Sequence, residues 1–330
     1  MDYKSIFNRI EKLNIMIIGD VMIDAYQWGK VERISPEAPV PICSVVKEED
    51  RLGGAGNVAL NVSSMGAEPI LCSVVGKDDN EKILLSLMKD NKMSADGIVL
   101  SKYRPTTIKT RILGNNSQML RVDKETIQPL NKEEEESFLK TIFSIMDKKR
   151  IDAIIFQDYD KGVITETIIK EVVKKANERQ IPTTVDPKKR NFKNYKDVTM
   201  FKPNLKELKE GLKIDFSLPT LDNLAEAALL LHSKQKIEKV FITLSEYGVF
   251  IADYKTKEAK IKMLPAHLRK IADVSGAGDT VISVATLCLA VGLNTEDIAT
   301  ISNLAGGLVC ETVGVTPINK ERLYKELLAL

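Results

Sequence analysis

Asp273-Val-Ser-Gly-Ala-Gly-Asp-Thr280 opens a long apolar stretch with helical spacing, Ser275–Val291. The small residues Gly276, Ala277 and Gly278 let successive backbone N–H groups turn into one concavity, and the start of the following helix adds its partial positive charge there. A phosphoryl group in transfer, its charge spread over several oxygens, is stabilised by such a place. Asp279 stands where a carboxylate can take the proton of an attacking hydroxyl. The same residues also fit a glycine-rich helix N-cap in which Asp279 is an ordinary capping residue.

Working outward, short β-branched runs alternate with longer amphipathic stretches. Asn14–Ile18, Ile70–Val75, Ile151–Phe156, Thr183–Val185 and Val240–Leu244 read as strands. Gly54–Met65, Asn80–Asn91, Glu166–Gln180, Asn223–Lys234 and Thr295–Thr312 read as helices between and after them. This alternation predicts an α/β fold with a mostly parallel sheet covered on both faces. Two stretches break it. Glu32–Lys47 is punctuated by Pro36, Pro39 and Pro41 and then turns β-rich, and Pro105–Asp123 alternates around a Gly114-Asn115-Asn116 turn. Lacking helices to cover them, residues 32–47 and 105–123 are expected to form a small projecting sheet whose exposed face needs a substrate or a second subunit. The run Lys132–Glu136 reads as the solvated first turn of a helix. No repeat and no long linker divides the chain, so residues 1–330 are expected to be one domain.

Composition narrows the function. Lys plus Arg number 48 against 46 Asp plus Glu, a formal charge of +2, which provides no electrostatic footprint for nucleic acid or an anionic membrane. The longest apolar runs are too short and interrupted to span a bilayer, and residues 1–14 carry no signal-peptide core, which points to the cytoplasm. Cys43, Cys72, Cys288 and Cys310 lie far apart and read as small buried residues in a reducing compartment. Only His232 and His267 are present, so a histidine zinc site or a Ser-His-Asp triad lacks raw material. The chemistry falls to carboxylates, backbone amides, lysines and arginines.

Further clusters share the strand-to-helix context. Gly53-Gly-Ala-Gly-Asn57 opens a helix, and Gly19-Asp-Val-Met-Ile-Asp24 follows the first strand at its carboxyl end, where open α/β sheets bind ligands. Asp20, Asp24 and Asn57, with Gly53 and Gly54 admitting a close approach, suit the hydroxyls of a polyol or sugar. Asp186-Pro-Lys188 precedes Lys202-Pro-Asn-Leu-Lys-Glu207, in which Asn204 and Glu207 supply oxygens suited to Mg²⁺ through water. A capping box with Asn204 as N-cap and Glu207 at N3 competes for the same residues. Neither a P-loop nor a Gly-x-Gly-x-x-Gly fingerprint occurs.

Gly53-Gly-Ala-Gly-Asn57, Asn204-x-x-Glu207 and Gly276-Ala-Gly-Asp279, in that order, resemble the ribokinase-type (PfkB) carbohydrate kinases over essentially the whole chain. Two narrower stretches, Gly19-Asp-Val-Met-Ile-Asp24 followed by Arg33-Ile-Ser-Pro-Glu-Ala-Pro-Val-Pro41, and Pro105-Thr-Thr-Ile-Lys-Thr-Arg111 with Gln118, Arg121 and Asp123, resemble the heptose 7-phosphate kinases of bacterial ADP-heptose synthesis. In many bacteria these are fused to a nucleotidyltransferase. No His-x-Gly-His signature appears here, so a free-standing kinase is expected.

The resemblance implies a ribokinase-like fold, a central mostly parallel sheet flanked by helices with a β lid, and lid-to-lid homodimers. It implies Asp279 as catalytic base, Gly276, Ala277 and Gly278 as anion hole, and ATP with Mg²⁺ near Asn204, Leu205, Lys206 and Glu207. Ser245 and Gly248 fall in a nucleotide loop, Asn303 near adenine, and Asp273 and Ser275 at a possible monovalent cation (K⁺) site. The phosphate of a sugar phosphate needs cations, and Arg33, Lys109, Arg111, Arg121 and Lys161 are the nearest set by topology. Gln157-Asp-Tyr-Asp-Lys-Gly162 carries Asp160 where heptose kinases often show Ala. Other sugar-phosphate or nucleoside kinases of the fold, such as fructose 1-phosphate or adenosine kinases, and a silent sugar-binding regulator are the alternatives.

Overall fold

The computed structural model describes residues 2–115, 117–267, 269–312 and 314–330, so Asn116 of the expected hairpin turn lies outside the described residues. The first half of the chain forms α1 (Tyr3–Ile10), β1 (Asn14–Gly19), β2 (Val21–Ile34), β3 (Pro41–Gly54), α2 (Ala55–Ser64), β4 (Glu68–Gly76) and α3 (Asp79–Asp90). Next come β5 (Ile98–Ser101), β6 (Ile108–Gly114), β7 (Ser117–Lys124), α4 (Lys132–Lys148), β8 (Ala153–Gln157), α5 (Glu166–Glu178) and β9 (Thr183–Asp186). The remainder is β10 (Met200–Phe201), α6 (Leu205–Leu212), α7 (Leu221–Gln235), β11 (Lys239–Thr243), β12 (Val249–Asp253), β13 (Lys260–Leu264), α8 (Ala277–Ala290), α9 (Thr295–Val309) and α10 (Lys320–Leu328).

Nine strands make one sheet in the order β13-β12-β11-β10-β9-β8-β1-β4-β5. From β11 to β5 the pairing is parallel; β12 and β13 add an antiparallel edge. The central strand β1 explains the two-layer cover. Ile15 and Ile17 face one cluster with Val58, Ile282 and Leu304, while Met16 and Ile18 face the other with Phe138, Phe156 and Leu231. Successive side chains of a strand point to opposite faces, so an unbroken apolar run demands helices on both sides. Among the described residues no helix is long and apolar enough to cross a membrane.

A second sheet, β3-β2-β6-β7, projects from this body. It is larger than the expected 32–47 plus 105–123, because β2 starts at Val21, directly after Asp20, and β3 runs on to Gly54. Residues 21–31 do not advertise a strand because the face carrying Asp24, Tyr26 and Trp28 is polar and aromatic, and only the other carries Ile23 and Ala25. That apolar face is buried at its root, where Ile23 meets Leu52 and Ile108, and exposed farther out at Leu120 and Val122. The acidic run 132–136 is the first turn of α4, capped by Asn131 and Glu134.

Candidate active site

The chain leaves β1 towards β4 on one side, and β8 returns on the other, with Gly19 opposite Gln157. A crevice outside the carboxyl ends of the strands at such a switch point is where a ligand finds backbone and side-chain donors. α8 starts over this crevice. Gly276, at φ +80°, is its N-cap in a left-handed conformation that glycine adopts at no cost in strain. Asp279 is therefore not the cap, and the capping alternative falls. Its carboxylate, 5% exposed, accepts hydrogen bonds from Asn57 Nδ2 at 2.7 Å, Tyr159 OH at 2.8 Å and Gln157 Nε2 at 3.1 Å. Burial pushes its pKa up to about 6, partly offset by the Asn57 hydrogen bond.

Two lysines stand beside it. Lys202, 2% exposed, pairs with Asp186 at 3.1 Å, and both approach the space over Gly278. Lys188 pairs with Glu207, and its ammonium lies 5.6 Å from the centre of the Tyr159 ring. Burial alone would lower the Lys188 ammonium, but the Asp186 and Glu207 carboxylates outweigh it and hold it above its ordinary value. Gln157 Oε1 is buried without a partner among the described residues, an acceptor available to a ligand hydroxyl.

Asp20 departs from expectation. Rather than presenting oxygens to a sugar, it clasps the loop after β8: the N–H groups of Tyr159 and Lys161 donate to Oδ2 at 2.8 and 3.1 Å, and that of Val163 to Oδ1 at 3.0 Å. Asp158 in that loop accepts from Asn191 Nδ2 and Tyr195 OH, each at 3.0 Å, and burial beside Asp20 raises it to about 7. Asp160 takes a left-handed conformation, φ +56°, with its amide bonded to Asp158 at 2.8 Å.

On the lid, Asp24 pairs with Arg111 at 2.5 Å, and a Cβ on Gly53 would collide with the Asp24 carboxylate, which is why glycine stands there. Register places Lys47, Arg51, Lys109, Arg111 and Arg121 on one face with Asp24, Glu49 and Asp123. Lys109 bridges Asp123 and Glu125 at 2.8 Å each, Arg121 bonds Asp123 at 2.9 Å, and Lys161 bonds Glu125 at 2.6 Å. Arg33 does not join them. It pairs with Ile42 near the tip of β2, nine residues beyond Asp24, about 30 Å away along an extended strand.

The residues expected near a nucleotide divide. Asn204 and Glu207 form the capping box, Asn204 Oδ1 accepting from Glu207 N at 2.8 Å and Glu207 Oε2 from Asn204 N at 2.9 Å. Leu205 packs against the core, and exposed Lys206 faces Glu210, so neither side chain enters the crevice. Ser245 is exposed at the start of a short turn, while Gly248, φ +90°, abuts Pro265, whose carbonyl accepts from Asn303 Nδ2 at 2.9 Å. Asp273 accepts from Ser275 N at 2.9 Å and Gly314 N at 3.0 Å, bracing the loop that leads into Gly276. Among the described residues no group of three acidic, cysteine or histidine ligands is gathered; Asp279 and Asp186 share the Gln157 Nε2 donor at 3.1 and 3.4 Å, and Lys202 and Lys188 pair with Asp186 and Glu207 beside them. That donor set suits a magnesium ion carried in by a triphosphate and its waters rather than a protein cage.

The model of the pfkB family of carbohydrate kinases matches residues 12–322. The chain belongs to this family. Among curated relatives, the bifunctional protein HldE of Pelobacter propionicus is 38% identical over 96% of this chain, and that of Methylobacillus flagellatus 39% over 95%. The chain spans 63% of the length of each. Among solved structures, phosphofructokinase-2 of Escherichia coli in complex with potassium superposes with a TM-score of 0.76 at 17% identity, covering 97% of this chain and all of that one. Arabidopsis thaliana ribokinase with ribose and ATP gives 0.72 at 16%, covering 96% and 99%. Both show a shared ribokinase-like fold.

Several residues that build the crevice of this pfkB chain carry no role in its sequence motifs. Gln157, Asp186 and Lys202 are each the polar residue at or just past the end of a short apolar run, the position that places a side chain at the carboxyl edge. Tyr159 carried no such signal, nor did Tyr26, whose ring lies between the Arg51 and Arg111 guanidiniums at 5.0 and 5.2 Å.

Proposed function

We propose that this chain transfers the γ-phosphoryl of ATP to O1 of D-glycero-D-manno-heptose 7-phosphate, giving the 1,7-bisphosphate for ADP-heptose and lipopolysaccharide core synthesis. The observation that carries the chemistry is Asp279, buried at the head of α8 behind three glycine-loop amides and with Lys202 close by. The sugar hydroxyl attacks the γ-phosphorus, the bond to ADP breaks, and Asp279 takes the hydroxyl proton. The amides of Gly276, Ala277 and Gly278 stabilise the developing charge. Asp24 and Asn57 hold sugar hydroxyls. A bound Mg²⁺ would neutralise phosphate charge, with Glu207 touching its water shell; Ser245, Gly248 and Asn303 line the nucleotide end, and Asp273 and Ser275 suit a potassium ion.

The substrate's own phosphate is what the lid supports. With Lys161 and Glu125 at the root of the lid, six cations face four carboxylates there, leaving an excess suited to a dianion. The stretches that resemble heptose kinases, 33–41 and 105–111, lie on this lid or at its root. Two lids pack in a homodimer, supported by the exposed apolar residues Val45, Val46, Leu120 and Val122. The test is ADP release across a panel of heptose, fructose and ribose phosphates and adenosine. Heptose 7-phosphate is expected to exceed every other acceptor at least tenfold in kcat/KM; preference for an unphosphorylated acceptor overturns the proposal.

A further inference from the structure

Asp279 makes three hydrogen bonds, and they are unevenly shared. Among the described residues, Oδ1 accepts from both Tyr159 OH and Gln157 Nε2, while Oδ2 accepts only from Asn57 Nδ2. A carboxylate oxygen has room for about two donors, so Oδ2 is the one with capacity left for an incoming hydroxyl. Of the three donors, only Tyr159 sits on a loop, and that loop is held unusually firmly. Asp20 grips it through the N–H groups of Tyr159, Lys161 and Val163, and Asp158 ties it to Asn191 and Tyr195 beyond β9.

We propose that Tyr159 is the positioning residue for the base: anchored by the Asp20 clasp, its hydroxyl saturates Oδ1 of Asp279, fixing the carboxylate rotation and reserving Oδ2 for the substrate's proton. This rests on Asp279 being the base. The phenol can do it at any working pH, because burial and the neighbouring Asp279 hold it protonated far above its ordinary value. The Asp20 carboxylate, buried between amides of three residues of one loop, thereby acts on catalysis without touching substrate.

The charged groups that face Asp279 are Asp186 at the end of β9, Lys202 past β10, Lys188 with its partner Glu207, and Asp24 on β2. None contacts the Tyr159 hydroxyl, so Tyr159→Phe removes one donor and keeps both the ring and its stacked Lys188. A donor to a carboxylate favours the ionised form, so its loss raises the pKa of the base. In Tyr159→Phe, kcat at pH 7 is expected to fall about tenfold, as for one charge-assisted hydrogen bond. The acid limb of kcat should move up by about half to one pH unit, with KM for both substrates within about twofold. Asp20→Asn should move the limb in the same direction by less, and adding it to Tyr159→Phe should move the limb no further.

A direct titration of the Asp279 carboxyl, by difference infrared spectroscopy against Asp279→Asn, should show the same upward shift in Tyr159→Phe without any turnover. An unmoved limb and an unmoved carboxyl titration overturn the proposal, as does a loss of kcat equal at every pH. If Asp279→Asn itself retains turnover, the base assignment has failed. If Asp279→Asn is inactive while Tyr159→Phe titrates as wild type, only the positioning role has failed.

Discussion

The two sides of the crevice are charged in different ways. On the body side, Asp279, Asp186 and Lys202 are almost fully buried, tied to the ends of parallel strands and to α8. On the lid side exposure rises outward, from Lys109 at 13% and Arg111 at 21% to Arg121 at 50%, and these cations are matched with Asp24, Asp123 and Glu125. Desolvated, preorganised groups strengthen every interaction made in the transition state, while exchangeable, solvated ion pairs tune who binds. The body should therefore govern kcat, and the lid KM and selectivity.

The sharpest way to break that division is Asp279→Asn. Asparagine is nearly isosteric but takes no proton, so kcat should fall about a hundredfold or more while sugar and ATP binding, read by calorimetry, change far less. Because burial raises the folded-state pKa to about 6, above the unfolded value, the carboxyl favours the fold when protonated and costs it stability once ionised above that pH, so the melting temperature of the Asn variant at pH 8 should not fall. Unfolding of this variant would give the residue a structural role instead. Lys202→Met comes next: it strands the Asp186 carboxylate in the interior, and chemical denaturation should register a loss of about 3 kcal/mol. A loss below 1 kcal/mol would make the body pair no different from a lid pair.

On the lid, Arg111→Ala should raise KM for heptose 7-phosphate about ten- to a hundredfold, with little effect on an unphosphorylated sugar. Equal losses on both would mean that Arg111 serves only to hold Asp24, its partner at 2.5 Å. Wild-type kcat should fall about tenfold per unit below pH 6, as the base protonates, and stay flat above pH 7. The smallest effect on turnover belongs to Leu120→Asp on the exposed face of the lid, which should convert dimers to monomers in sedimentation. Monomeric wild type at micromolar concentration with full activity would remove lid-to-lid packing from the account.

What was legible in the sequence follows the same line. The body strands announce themselves because both faces are buried, leaving unbroken apolar runs such as Ile15–Ile18 and Ile154–Phe156. Gly276–Asp279 and Gly53–Asn57 are legible because only small residues allow those approaches. The root of β2 was not, since Asp24, Tyr26 and Trp28 give it a wet face with no clean alternation. Asp20 was misassigned for a physical reason: an aspartate at a strand's carboxyl end serves equally as a hydroxyl acceptor or as a cap for a distant loop. Only the position of residues 159–163 decides between the two. Tyr159 was invisible because a tyrosine in a loop carries no periodicity.

The clasp and the base also set an order of assembly on the growing chain. Asp20 meets its loop across 139 to 143 positions, so that contact can form once residue 163 has left the ribosome. The Asn57–Asp279 bond spans 222 positions and must wait for α8. Through that interval β1 already has its neighbours β4 and β8, while the face that α8 will cover remains open, with Val58 of α2 and Ile155 of β8 bare to solvent. Long-range closure of this kind is slow and exposed to aggregation. An unfinished chain ending before Ala277 would carry lid and clasp intact, and that open face is where a chaperone would find it.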